Sequence, residues 1–193
     1  MLLAIDTSAG TSAAIVSDRV LSLAVFDDPF GHAENVGIAI TQALSDAGVS
    51  ASEITGVAIG RGPAPYTGLR VGMAAGIAFA NALKIQSYGV MVLDAVAFSL
   101  KTEKLVLTAD AKRKELFVAT YLDGKRESGP EVLQPADLER FRGYEVVASV
   151  ADAGLLGLFA LDQIAQGQDL SDLSALYLRS PDVSPSPGKK VSG

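Results

Sequence analysis

Two strand ends carry the side chains best suited to chemistry. Asp6, Thr7 and Ser8 close the apolar run LLAI and lead to Gly10, while Asp110 closes the run LVLTA and leads to Lys112, Arg113 and Lys114. A carboxylate and hydroxyls beside glycine at such a tip can hold a metal-bound phosphate, but the same residue types also make turns. The glycine-rich loop GRGPAPYTG, beginning at Gly60, lacks the GK[ST] ending of a P-loop. Cysteine is absent and His32 is the single histidine, so there is no thiolate metal site, no HExxH motif, and no imidazole other than His32 to activate a serine. A lone histidine at a helix start caps, packs or meets a partner more often than it ligates metal.

The elements that must position these residues read as a mixed α/β chain. Leu2–Ile5, Thr11–Val16 and Val20–Phe26 form a strand meander, followed by a helix over His32–Ala47 that Gly48 stops. Its core stripe is expected to be Val36, Ile40, Ala43 and Ala47, beside a stripe of small residues at Ala33, Gly37 and Thr41. A short strand, Gly56–Gly60, feeds the glycine loop. The helix after it, capped by Thr67, carries Gly68, Gly72, Gly76 and Ala80 at intervals of four. Glycine in a helix interior costs on the order of 1 kcal/mol relative to alanine, so such a stripe implies close approach of another backbone. No charge occurs from Val71 to Leu83, and a helix with no charged face is expected to be covered on all sides.

A strand over Ile85–Gly89 and a helix over Met91–Leu100 lead to the charged stretch Lys101–Lys104, where a domain boundary is expected. Leu105–Lys125 then repeats the opening order of strand, aspartate, polar turn, strand and tight turn, with Asp110 in the place of Asp6 and Asp123-Gly124 as the hairpin turn. A short helix (Pro135–Phe141), a strand (Glu145–Ala148) and an amphipathic helix (Asp152–Gln166) follow. The resulting division is residues 1–100, residues 101–180, and a Pro-, Ser- and Lys-rich tail over 181–193 read as disordered.

Composition limits the function classes. The chain has 193 residues, 49% of them hydrophobic, which suffices to bury a core. Its net charge of −6 lacks the electrostatic footprint of a protein that holds nucleic acid unaided. No apolar run spans a membrane and the start MLLAIDTS has no signal-peptide pattern, so cytoplasm is the expected compartment and no membrane role is expected.

Five stretches, LLAIDTS, HAENV, GRGPAPYTGLRVG, DAKRKELFVATY and ALYLRSPD, resemble in that order the TsaB family. These are the dimerisation subunits of the bacterial machinery that makes N6-threonylcarbamoyladenosine in tRNA. The resemblance implies two ribonuclease H-like domains of the actin, Hsp70 and sugar-kinase group, with mixed sheets and flanking helices. It departs at Ala64 and Pro65, where the family usually has Gly and Ser. The related catalytic subunit, TsaD, carries a metal-binding HxxxH after the central helix. The matching place here is Gly89–Val96, with Val92 and Val96 at the histidine positions and Asp94 between them.

The implied role is a non-catalytic partner of a TsaD-like subunit, with a TsaE-like ATPase in the larger complex, tRNA met only through the complex, and a homodimer when the chain is isolated. No catalytic residue, cofactor or metal is expected. The expected partner interface is a four-helix bundle involving Val36, Gly37, Ile40, Gly68, Gly72, Gly76 and Ile77, with a side chain added at Gly72 pointing outward. The alternative is a small nucleotide-dependent phosphotransferase or ATPase using Asp6, Thr7, Ser8 and Asp110.

Overall fold

A computed structural model describes residues 1–64, 66–100 and 102–178; the segment 181–193 and Pro65 lie outside the described residues. The first sheet contains β1 (Leu2–Asp6), β2 (Thr11–Val16), β3 (Val20–Phe26), β4 (Gly56–Gly60) and β5 (Gln86–Val90) in the order β3-β2-β1-β4-β5. The meander is antiparallel, whereas β4 pairs parallel with both β1 and β5. Parallel pairs require crossovers, which α1 (His32–Ala47) and α2 (Tyr66–Leu83) supply.

Strand alternation divides the core. Leu3 and Ile5 point to one face with Ala13, Ile15, Val57 and Ile59, where Val36, Ala39 and Ala43 of α1 and Leu69, Met73 and Ala80 of α2 cover them. Leu2 and Ala4 point to the other face with Ala14, Val16 and Ala58. There they meet α3 (Val92–Ser99) and α4 (Ala153–Ala165). Burial on both faces is why β1 and β4 read as unbroken apolar runs.

The second sheet has β6 (Lys104–Asp110), β7 (Leu116–Leu122), β8 (Lys125–Leu133) and β9 (Glu145–Ala148) in the order β8-β7-β6-β9. Its pairings, antiparallel β6-β7-β8 and parallel β6-β9, repeat those of β1-β2-β3 and β1-β4 strand for strand. Asp6 and Asp110 each end the first strand of a repeat. Asp123 (φ 49°) and Gly124 (φ 74°) make the tight turn between β7 and β8 with two left-handed residues. The two sheets with flanking helices match the fold class expected from sequence.

The chain is partitioned less simply than its order suggests. Although α4 follows the second sheet, it packs on the first: added Cβ atoms at Gly154 and Gly157 would strike Val20 and Val16. The stretch after α4 also returns to the first sheet. Gly89 N donates to Leu170 O (2.8 Å), Leu176 N donates to Arg61 O (2.8 Å), and Arg61 pairs with Asp172 at 2.6 Å. Residues 153–176 therefore pack on the first sheet, in an apolar cluster that also takes in Leu105, Leu107, Ala119 and Tyr121 of the second.

Candidate partner surface and the cleft between the sheets

The glycine stripe of α2 faces its own sheet. A Cβ at Gly68 would lie 2.6 Å from His32 Nε2 and 2.8 Å from Thr7 O, and one at Gly76 would lie 2.7 Å from Ile59 Cγ1. At Gly72 it would fall on the Thr7 hydroxyl, closer than any real Cβ approach. What comes close to the stripe is in the same chain: the Thr7 backbone and side chain after β1 at Gly68 and Gly72, and the Ile59 side chain of β4 at Gly76. Thr7 Oγ1 donates to Gly68 O at 2.8 Å and fixes the contact.

This corrects the expected interface residue by residue. Gly68, Gly72, Gly76 and Val36 are buried within the fold, and a side chain at Gly72 points inward. Ile40 and Ile77 are half-buried against the core shared by α1 and α2. Gly37 is open, with nothing within 4 Å of an added Cβ. Around it α1 exposes Ala33, Ile38 and Thr41, with Ile38 53% accessible. The outer side of α2 exposes Ala74, Ala78 and Ala82. Sequence periodicity found two stripes of small residues and missed which one faces out; Ile38, beside the open stripe, was the additional signal. Helix α2 begins at Tyr66, so Thr67 lies in its first turn and not at its cap.

The aspartate tips lie near a cleft of about 800 Å³ between the two sheets. One wall holds Thr7, Ser8, His32 and Thr67; the other holds Asp110, Lys112 and Phe117, with Val92 and Leu93 of α3 also lining it and Phe30 and Val150 among its exposed residues. His32 packs between β2 and α2, its Nδ1 sharing a hydrogen bond with Thr11 Oγ1 at 3.0 Å. Asp6 is buried. Its Oδ2 accepts from Ser8 N (3.1 Å) and Ser8 Oγ (2.6 Å), its Oδ1 has no partner, and burial pushes its carboxyl up to about 6. A Cβ at Gly60 would land on that Oδ1, which explains glycine there. Asp110 is exposed and accepts from Lys112 N (2.7 Å) and Lys112 Nζ (2.9 Å), hydrogen bonds that hold its carboxyl below the usual range.

The positions that resemble a histidine pair are part of the core. Val92 and Val96 sit one turn apart on α3, each 2% accessible. Asp94 between them accepts from Tyr121 Oη at 2.9 Å and pairs with Arg126 at 3.3 Å. Burial raises its carboxyl, with Arg126 and Tyr121 opposing. Among the described residues, no group of three or more His, Cys, Asp or Glu is arranged to hold a metal ion. No described helix is long and apolar enough to cross a membrane.

The chain is similar to known proteins in sequence and in fold. The chain is 38% identical to the uncharacterized protein ML0378 of Mycobacterium leprae over 203 aligned positions, covering 96% of this chain and 56% of that one. It is 35% identical to the uncharacterized protein Rv3421c of Mycobacterium tuberculosis, covering 95% of this chain and 94% of that one. In fold it is similar to YeaZ from Pseudomonas aeruginosa, with a TM-score of 0.75 at 23% identity over 92% of this chain and 99% of that one. Residues 30–176 match the family model described as TsaD, tRNA N6-adenosine threonylcarbamoyltransferase. That match agrees with the relationship read from the five motifs. It spans most of the chain, including the open helix face, most of the cleft lining and α3, and the chain belongs to the TsaD family.

Proposed function

We propose that the chain is a non-catalytic subunit that binds and stabilises a TsaD-type transferase in the formation of N6-threonylcarbamoyladenosine in tRNA. The observation that carries this reading is α3. Where the catalytic relative has two metal-binding histidines, this chain has Val92 and Val96 packed into its core, and valine has no lone pair to offer a metal. The transferase moves threonylcarbamoyl from an adenylate to the adenosine 3′ of the anticodon, and a TsaE-like ATPase completes the system.

The docking surface in this reading is the outer face of α1 and α2. Gly37, Ile38 and Thr41 with Ala74 and Ala78 make a low surface of small and apolar residues, with Glu34 and Arg70 exposed at its N-terminal ends, on which partner helices can pack, and isolated chains pair through the same face. Against the phosphotransferase alternative stands the engagement of its groups. Ser8 Oγ donates to Asp6, Thr7 Oγ1 donates to Gly68 O, and Asp110 is tied to Lys112.

Gly37→Arg tests the surface, because its side chain meets open space and arginine improves helix propensity by up to about 1 kcal/mol over glycine. The variant should keep the wild-type melting temperature or exceed it, yet fail to co-purify with the TsaD-type subunit of the same cell and fail to restore the modification. Retained pairing would remove this face from the proposal. Magnesium-dependent ATP turnover by the isolated wild type would favour the enzyme instead.

A further inference from the structure

The turn joining β6 to β7 departs from ordinary backbone geometry at three consecutive residues. Lys112, Arg113 and Lys114 have φ of 64°, 55° and 63°, all left-handed and none of them glycine. Such residues suffer a steric penalty that glycine avoids and asparagine largely escapes. The turn is closed by Glu115 N donating to Lys112 O and Ala111 N donating to Glu115 O, both at 3.0 Å. The equivalent tip of the first repeat, Ser8-Ala9-Gly10, is small and carries no charge. A chain of net charge −6 thus concentrates three exposed cations on one strained turn.

The position of this turn indicates what the cations meet. Lys112 lines the cleft between the sheets, and Phe30, on the loop before α1, lines the same cleft while 93% accessible. An aromatic ring that open is a stacking platform, and clustered lysine and arginine beside it suit a phosphodiester backbone. Asp27 and Asp28 adjoin Phe30 in the chain, so phosphates are favoured at the cationic turn and a base at the Phe30 ring, with Asp110 beside Lys112 on the cleft wall. A turn carrying three cations, with Lys112 paired to Asp110 at 2.9 Å, matches successive phosphates of a strand better than one free nucleotide, and an acidic polypeptide would leave Phe30 unused.

We propose that the left-handed turn Lys112–Lys114 and the Phe30 ring, on the rim of one cleft, contact single-stranded RNA directly, with phosphates on the cations and an unstacked base on the ring. The inference rests on the proposed role in tRNA modification, which supplies the RNA. It goes beyond that role by giving this chain its own share of the RNA contact.

The test titrates a fluorescent anticodon stem-loop RNA against the chain alone and against its complex with the TsaD-type subunit, over a series of KCl concentrations. In the triple variant K112N/R113N/K114N, asparagine suits left-handed backbone, so the melting temperature should hold or rise. RNA affinity should fall at least tenfold, and the salt slope should shrink by about 2, at roughly 0.7 for each phosphate that is no longer neutralised. Phe30→Ala should weaken binding roughly tenfold with its salt slope unchanged. Wild-type affinity and slope in the triple variant would overturn the proposal. So would loss of transferase binding with RNA affinity intact, which would give the cations to a protein contact, or binding of AMP through Phe30 with no RNA binding. If wild type forms no complex, the subunit reading fails and the RNA contact that rests on it fails with it; a complex that forms but binds no RNA overturns the contact alone.

Discussion

Asp6 and Asp110 occupy the same place in two copies of one hairpin, and their surroundings give them opposite chemistry. Each is the last residue of the first strand of its sheet and each bonds to the backbone N–H two residues on. Asp6 lies buried against Gly60, near Leu156 of α4, with one oxygen unpartnered, and burial raises its carboxyl to about 6. Asp110 stands in water with a lysine, which lowers it. The difference is one of coverage: helices close both faces of the first sheet at that end, while the second repeat leaves its tip open. A shared topological position therefore does not imply a shared function. One copy holds a helix down and the other presents a charged turn.

The largest expected effect breaks the covered side of this comparison. Gly72→Arg drives a side chain into Thr7, and overpacking of this kind costs at least the upper part of about 1–3 kcal/mol. At roughly 2–4 °C per kcal/mol for a chain of this size, the melting temperature should drop by about 6 °C or more, or the soluble fold should be lost. Gly37→Arg, on the open face of α1, meets no such constraint and should not lower it. Equal melting temperatures for the two variants would contradict the inward orientation of the α2 stripe.

The next effect concerns the buried carboxyl. The folded pKa of Asp6, about 6, exceeds its ordinary value of 3.8, so the folded state binds the proton more tightly than the unfolded state does. Its contribution is fully present below about pH 4 and is lost as pH rises through about 6. Relative to Asp6→Asn, which stays neutral throughout, wild type should lose on the order of 3 kcal/mol of unfolding free energy between about pH 4 and pH 7. Paired urea titrations at the two pH values measure this difference. A difference that does not change with pH would show that Asp6 is not desolvated.

Much of this arrangement was legible in the sequence because periodicity reports directly on burial. The β1 and β4 runs, the 3.6-residue pattern of α1 and the repeated strand-aspartate-turn order each correspond to an element found. Strand β8 was not legible, since Lys125–Leu133 combines charges with Gly129-Pro130, and proline is tolerated there because the strand is at the sheet edge. Nor was the direction of the glycine stripe. Spacing shows that something comes close at Gly72 but not that it is Thr7, a residue far away along the chain that only the fold brings near. The return of α4 to the first sheet was hidden in the same way, although apolar residues on more than one side of it, Leu155, Leu156, Leu158 and Leu161, signal a helix buried between layers.

The smallest expected effect lies at the exposed copy. Hydrogen bonds from Lys112 hold the Asp110 carboxyl below 3.8, so its contribution to stability is present above that value and lost as pH falls through the lowered folded value. That is the opposite direction from Asp6. Because the pair is well exposed, water and salt screen it, and Asp110→Asn should change the unfolding free energy at neutral pH by no more than about 0.5 kcal/mol. Asparagine still accepts from the backbone N–H of Lys112, so the left-handed turn should keep its shape while losing the partner of one lysine. If the turn is an RNA contact, releasing Lys112 from Asp110 should strengthen RNA binding slightly and steepen its salt dependence. A variant that unfolds in acid at the same pH as Asp6→Asn, or that weakens RNA binding, would mean that Asp110 is as structural as its buried counterpart.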